Sequence, residues 1–256
     1  MSVHPSALVD SSVRLAAGVT VGPFAIIEGD VEIGAGTVIE SHAVIQSGTR
    51  LGKECRVYHG AIVGGRPQDL KYADEQTFIE IGDRTQVREF ATLHRGTTDM
   101  TTTRIGSDCL IMTLVHVAHD CQIGDHVILA NAVNLAGHCH LEDWVIIGGM
   151  VPVHQFVRIG QHAFIGGGVK VTRDVPPFIL AAGEPLKYTG LNRVGLERRG
   201  FSGERRRLIK DCYRKIYSSD LNVSQAMEVL KEQYGSEEDA HTIITFVQQA
   251  ERGLIP

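Results

Sequence analysis

Stepping by six from Ile105, the chain reads Ile105, Ile111, Val117, Ile123, Leu129, Leu135, Leu141, Ile147, Val153, Ile159, Ile165 and Val171, without a miss. A second series begins four residues on, at Cys109, Val115, Cys121, Val127, Val133 and Cys139, and continues to Val175 with only small or β-branched residues. A period of six fits neither the 3.6 of a helix nor the 2 of a simple strand, so it marks an internal repeat, and hexapeptide periodicity means a parallel β-helix. Each hexad supplies one short strand. The aliphatic residue and the small one two before it point inward, and the residue between them points out. The rest of the hexad turns a corner, to which we assign the frequent glycine after the aliphatic (Gly106, Gly124, Gly148, Gly160, Gly166). Three hexads close one triangular coil, so residues eighteen apart stack, with strands about 4.8 Å apart.

The same repeat runs from Val3 to Val63 and is interrupted twice, by polar stretches at 64–78 and 94–104. The first carries Gly64, Gly65 and Pro67 and is read as a loop pushed out of the prism; long loops in a compact repeat are usually functional. Val175-Pro176-Pro177 withdraws two backbone donors and is expected to stop the strand ladder. Beyond that point the pattern is helical. Ser202 is placed to cap a helix reaching Tyr217, Asn222 with Gln225 forms a capping box for a second, and a third is expected from about Glu237 to Arg252, ended by Gly253. The expected organisation is mostly β: a parallel β-helix over 1–187 and a helical domain over 188–256 that covers the open strand edge of the coil.

Net charge is −5, with 28 glycines and 6% aromatic residues. This suits a narrow core with many corners, and lacks the strong positive excess of a nucleic-acid binder. No apolar run reaches the ~18 residues of a membrane span, and no signal-peptide pattern follows Met1, so the cytoplasm is the expected location. Five cysteines fit that compartment. Four of them, Cys55, Cys109, Cys121 and Cys139, take the small inward position, where a thiol packs as a small hydrophobe. Cys121 and Cys139 should stack in adjacent coils, yet a cytosolic pair stays reduced.

The stacking rule also locates chemistry. The hexads at Val117, Leu135 and Val153 share one prism edge, and their corners carry His119, His138, and His154 with Gln155. His116 points outward beside them, and Asp120 follows His119. A neutral imidazole is the natural general base near pH 7, and a carboxylate fixes its tautomer. Zinc held by three histidines is the competing chemistry, and solvated corner histidines are the bland alternative.

The motifs are more specific than the repeat. His116-Val117-Ala118-His119-Asp120-Cys121, Leu135-Ala136-Gly137-His138 and Val153-His154-Gln155-Phe156 stand with Gln68-Asp69-Leu70-Lys71-Tyr72 and His94-Arg95-Gly96-Thr97 upstream. Arg198-Arg199-Gly200-Phe201 and Arg252-Gly253-Leu254-Ile255 close the set. Together they closely resemble the UDP-N-acetylglucosamine O-acyltransferase family of lipid A biosynthesis, over the whole chain. The resemblance implies a homotrimer of left-handed β-helices with active sites between subunits. It implies transfer of an (R)-3-hydroxyacyl group from the phosphopantetheine of acyl carrier protein to the sugar 3-hydroxyl, with no metal or other cofactor. On it, His119 is the general base, Asp120 orients it and the Gly137 N–H is the oxyanion donor. Gln68, Asp69, His94, His116, His138, His154 and Gln155 bind substrate; Lys71, Asn192, Arg198 and Arg199 lie toward the nucleotide and phosphates; Gly167 gauges acyl length. Many members have Glu where this chain has Val194, so a variant acting on a 3-amino sugar is one alternative; a sister hexapeptide acyltransferase using a coenzyme A thioester is another. A run of basic residues from Arg198 to Lys215, including Arg205, Arg206 and Arg207, is expected to steer the acidic carrier protein.

Overall fold

The computed structural model describes residues 1–256, in which the hexads form 27 short strands followed by four helices. The strands lie in three parallel sheets of eleven, eight and eight members, and successive hexads enter successive sheets. His116 pairs with Asn134 and Asn134 with Pro152, the eighteen-residue stacking expected. The coil is a left-handed parallel β-helix, against the usual right-handed sense of parallel crossovers. Cys109, Ile111, Val115 and Val117 are all at most 2% exposed, and they extend through a core of 60 buried residues. Each buried Val, Ile or Leu contributes about 1.5–3 kcal/mol.

The corners work differently from the sequence expectation. The residue three before the aliphatic takes the left-handed conformation in most hexads, as in Asp120 (φ 60°), His138 (φ 61°) and Phe156 (φ 65°). The glycine after the aliphatic is not at positive φ; it lets adjacent coils approach. A Cβ on Gly106 would lie 2.5 Å from the Gly124 carbonyl carbon, and one on Gly148 would lie 2.5 Å from the Gly167 nitrogen. Inward thiols use the same contact between coils. Cys109, Cys121 and Cys139 donate to the carbonyl oxygens of Gly124, Ala136 and His154 at 3.2, 3.3 and 3.3 Å, and all five cysteines are free.

Both insertions preserve the frame. Val57 pairs with Val87 and Ile81 with Ile105, so the first insertion adds twelve residues to its coil and the second adds six. Because these are whole hexads, the aliphatic phase survives. Ladder pairing continues through Gly65 and resumes at Phe78, and after His94 it resumes at Thr102. Both loops leave the second sheet and return to the third, so they project from one and the same edge.

The prolines do not stop the ladder. Val175 still bridges to Ile159, and the strand Ile179–Ala182 pairs in parallel with Phe164–Ile165 in the first sheet. The missing donors fall between these contacts. The strand Lys187–Leu191, which begins at the expected domain boundary, then pairs antiparallel and ends the sheet. Four helices follow: α1 (Arg193–Arg198), α2 (Gly203–Tyr217), α3 (Val223–Tyr234) and α4 (Glu238–Gln248). Ser202 caps α2 and the Asn222–Gln225 capping box opens α3. Helix α4 stops short of Gly253, whose carbonyl instead accepts from the Asp174 N–H at 3.0 Å. The buried Tyr213 hydroxyl donates to the Pro177 carbonyl at 2.6 Å, tying α2 to the end of the coil.

The three faces differ. The third sheet presents Arg14, Glu32, Arg50, Glu80, Arg104, Gln122, His140 and Arg158 outward, joined by pairs such as Arg104–Glu80 at 3.0 Å and Arg50–Glu32 at 3.1 Å. The first presents Leu110, Ile128, Ile146 and Phe164; the second begins with Leu8, Ile26, Val44 and Ile62. Phe24, Phe90, Leu114 and Met150, each more than half exposed, line the edge between those two. No helix is long and apolar enough to cross a membrane.

Candidate active site

His119 and Asp120 sit at the edge between the second and third sheets, where the chain turns from the strand His116–Val117 to Gln122–Ile123. Stacking by eighteen places Gly137 over His119 and His138 over Asp120, with Gln155 and Phe156 in the coil after. The His119 Nδ1 lies 2.8 Å from Asp120 Oδ2. An ionised carboxylate only accepts, so Nδ1 carries the proton and Nε2 keeps its lone pair. Burial works to raise the Asp120 carboxyl, but hydrogen bonds from His119 and Thr97 outweigh it and hold the group below its ordinary range. Asp120 is 1% exposed, so this charge acts where water screens it little.

The neighbouring imidazoles pack closely. The rings of His119 and His138 meet edge to face at 5.2 Å, and Phe156 stacks on His138 at 4.6 Å. His94 meets His116 edge to face at 4.8 Å, and the His116 Nδ1 shares a 2.8 Å hydrogen bond with the Thr92 hydroxyl. Burial, then the nearby His116 and His119, pushes His94 down to about 4, and burial likewise lowers His116. Both are neutral at pH 7 and keep positive charge away from His119.

The two loops close over this edge. Asp69 Oδ2 lies 4.0 Å from His119 Nε2, and Asp99 Oδ2 lies 3.9 Å from His138 Nε2. Asp69 also fixes its own loop by accepting from the Lys71 N–H at 2.9 Å, while the Lys71 and Gln68 side chains are exposed. The Gly137 N–H donates to no group of the protein, which leaves it available beside His119. His119, Asp120 and His138 bring ligand-type atoms within 4.8 Å of one another. The Asp120 oxygens are already engaged by His119 and Thr97, a hydrogen-bonded set that a metal ion would have to break.

Not every candidate joins this cluster. His154 is exposed and turns its Nδ1 to the Gln155 carbonyl at 3.1 Å, and Gln155 is exposed as well. Asn192, Arg198 and Arg199 lie by a different edge, between the third and first sheets. There Asn192 is buried, accepts from the Gly195 N–H at 3.1 Å and donates to the His162 carbonyl at 3.0 Å. Arg199 lies over the Trp144 ring at 4.8 Å with Nη1 3.4 Å from His162 Nδ1; Arg198 points to solvent. Val194 is 59% exposed beside them. Gly167 is exposed at the edge between the first and second sheets, where a Cβ would lie 3.1 Å from the Gly149 carbonyl oxygen. A cavity of about 800 Å³ runs along the charged third sheet past Arg50, Glu80, Arg104 and His140 and does not include His119. Sequence reasoning passed over Thr97, Asp99 and Phe156 as working residues. The phase of the second insertion and the spacing of Phe156 from His138 are the signals that point to them.

A prism of hexapeptide coils with a histidine–carboxylate pair at one edge defines a hexapeptide-repeat transferase. Residues 12–47 and 102–137 match the family described as bacterial transferase hexapeptide (six repeats). Residues 174–255 match the second domain of UDP-N-acetylglucosamine O-acyltransferase. Proteins named acyl-[acyl-carrier-protein]–UDP-N-acetylglucosamine O-acyltransferase from Myxococcus xanthus and Paraburkholderia phymatum are 48% and 44% identical. They cover 98% and 99% of this chain, which spans 98% of each. The crystal structure of UDP-N-acetylglucosamine O-acyltransferase from Moraxella catarrhalis is 40% identical, with a TM-score of 0.97 and full coverage of both chains. That of the Francisella novicida enzyme is 36% identical, with a TM-score of 0.96 over 99% of this chain and 93% of its own. The chain belongs to the UDP-N-acetylglucosamine O-acyltransferase family.

Proposed function

We propose that this protein moves an (R)-3-hydroxyacyl group from acyl carrier protein to the 3-hydroxyl of UDP-N-acetylglucosamine, the first step of lipid A biosynthesis. The observation that carries the reading is the 2.8 Å contact of His119 with a fully buried Asp120, which leaves the imidazole Nε2 facing the loop-covered edge. Nε2 takes the sugar hydroxyl proton as that oxygen attacks the thioester carbonyl. Negative charge then develops on the carbonyl oxygen, where the Gly137 N–H donates to it. Collapse breaks the C–S bond, and the imidazolium returns its proton to the leaving thiolate. No metal or other cofactor takes part. In this reading the acceptor is a water-soluble nucleotide sugar and the donor a water-soluble carrier protein, and we assign the enzyme to the cytoplasm with them.

Asp69, His94, His116 and His138 are assigned to the sugar and acyl groups around Nε2, and Gln68, Lys71, His154 and Gln155 to the exposed rim of the same edge. Asn192, Arg198 and Arg199 are assigned to the nucleotide side. In a single chain they stand at another edge from His119. A homotrimer resolves this separation: packing the second face of one subunit on the first face of the next brings the two edges together. It also covers Phe24, Phe90, Leu114 and Met150, which are otherwise exposed.

The test is an acyl-transfer assay on UDP-N-acetylglucosamine with acyl carrier protein and coenzyme A thioesters in parallel. Turnover is expected with the carrier protein alone; turnover with coenzyme A only overturns the donor assignment. For the acyl gauge, Gly167→Met inserts a side chain at an open position beside Gly149 and is expected to shift preference toward shorter chains. An unchanged preference in a folded trimer places the acyl groove elsewhere.

Carrier-protein docking is assigned to the basic run, with one change of residues. Arg205 is committed to the buried Asp239, with two contacts at 2.8 Å, so reversing it strands a carboxylate and threatens the fold. Arg206, Arg207 and Lys210 instead line a groove of about 670 Å³ with Arg193, Tyr188 and Thr189. Reversing Arg206, Arg207 and Lys210 to Glu is expected to raise the KM for acyl carrier protein, less so at high salt, and to leave that for the nucleotide sugar unchanged. Equal change in both constants, or in neither, removes the groove as the docking site.

A further inference from the structure

The second loop reaches the buried carboxylate through one residue with no role assigned above. The Thr97 N–H donates to Asp120 Oδ1 at 2.8 Å and its hydroxyl to Oδ2 at 2.6 Å, so one residue holds both oxygens. The pair is enclosed, with Thr97 6% and Asp120 1% exposed. Thr97 is itself fixed: its carbonyl accepts from the Thr101 N–H at 2.7 Å, and the preceding Gly96 N–H donates to the Phe78 carbonyl at 3.0 Å. A Cβ at Gly96 would lie 2.6 Å from the Thr101 carbonyl carbon, so the loop is closed on itself around this position. Behind the carboxylate, the Asp120 N–H donates to the Thr103 hydroxyl at 2.8 Å.

The grip matters because Asp120 has two imidazoles within reach. Oδ2 lies 2.8 Å from His119 Nδ1 and 3.6 Å from His138 Nε2. The terminal torsion of an aspartate is soft, so a carboxylate held only by His119 is free to turn toward His138. Two donors from one rigid loop residue remove that freedom. We propose that Thr97 is a positioning residue for acyl transfer: it locks the Asp120 carboxylate in the rotamer that serves His119 and withholds it from His138. The second insertion is then a part of the active site that acts from behind the base, and its six added residues exist to deliver this clamp. This inference rests on His119 being the general base.

The experiment compares Thr97→Val, which keeps the shape and the backbone donor, with Thr97→Ser, which keeps the hydroxyl, each alone and with Asp120→Ala. Thr97→Val is expected to lower kcat about 10- to 100-fold, the scale of a misplaced catalytic group, with both KM values within about twofold. Thr97→Ser is expected to stay within about threefold of the unsubstituted enzyme. In the Asp120→Ala background Thr97→Val should cost less than about twofold more, because a residue acting through Asp120 has nothing left to act on. Thr97→Ala, which adds no volume, replaces Thr97→Val if that variant does not fold. A normal kcat in the hydroxyl-free variant, a serine variant as poor as valine, or losses that multiply with Asp120→Ala each overturn the clamp. Failure of the general-base reading is distinguishable, since it appears as His119→Ala retaining activity whatever Thr97 does.

Discussion

Replacing His119 by Ala is expected to lower the rate of acyl transfer by about 10²–10⁴, the usual contribution of a general base, while the oligomeric state and the thermal stability persist. Stability should hold because His119 lies on a corner outside the hydrophobic column, and the residues beneath it, Val117 and Cys121, keep their packing. The loss should fall on kcat, since the imidazole acts on the proton that moves during attack and not on the parts of the substrates that bind. Steady-state kinetics beside a thermal melt and a sizing measurement test this together. Activity within threefold of the unsubstituted protein refutes the assignment.

Gly137→Ala is the second large effect expected, and it comes from a single methyl group. A Cβ at Gly137 would lie 2.7 Å from His119 Cε1, 2.9 Å from Nε2 and 3.2 Å from Nδ1. The backbone at Gly137 is not at positive φ, so alanine fits the chain and the collision falls on the imidazole. The ring must move away from the coil above it, which breaks the 2.8 Å contact with Asp120 or carries Nε2 off its line of approach. A displacement of this size costs about 10²-fold in rate. The Gly137 N–H remains, so the variant separates the space that this glycine provides from its role as a hydrogen-bond donor. A Gly137→Ala protein that folds and turns over normally removes steric seating of His119 as a reason for the glycine.

The corners show where sequence reading reaches its limit. Glycine after the aliphatic looked like a turn residue, yet the left-handed position is three residues before the aliphatic and is filled by Asp120, His138, Trp144 and Phe156. Those glycines answer to the neighbouring coil, a contact that one hexad read alone does not contain. Pro176 and Pro177 looked like an end of the ladder because a missing N–H is a local fact. Whether that donor was needed is a tertiary one, and here the pairing passes on to Ile179–Ala182.

What the sequence determined by itself is the prism and the edge that carries the chemistry. A strict six-residue period allows one way to bury a continuous aliphatic column, and stacking by eighteen then assigns every residue to a face or a corner. That arithmetic put His119, His138, His154 and Gln155 on one edge, without singling out Phe156, whose ring stacks on His138 at 4.6 Å. The tertiary structure decided which of those neighbours interact. His154 was counted with the edge histidines but turns to solvent, because it stands one residue earlier in its hexad than His119. Thr97 became a partner of Asp120 because an insertion of one whole hexad folds back over the edge it leaves. Asn192, Arg198 and Arg199 stayed at the opposite end of the third sheet, which the repeat could not announce since they belong to the helical part of the chain. Periodicity fixes direction and height along a prism; the path of a loop depends on contacts between residues far apart in sequence, which no local pattern encodes.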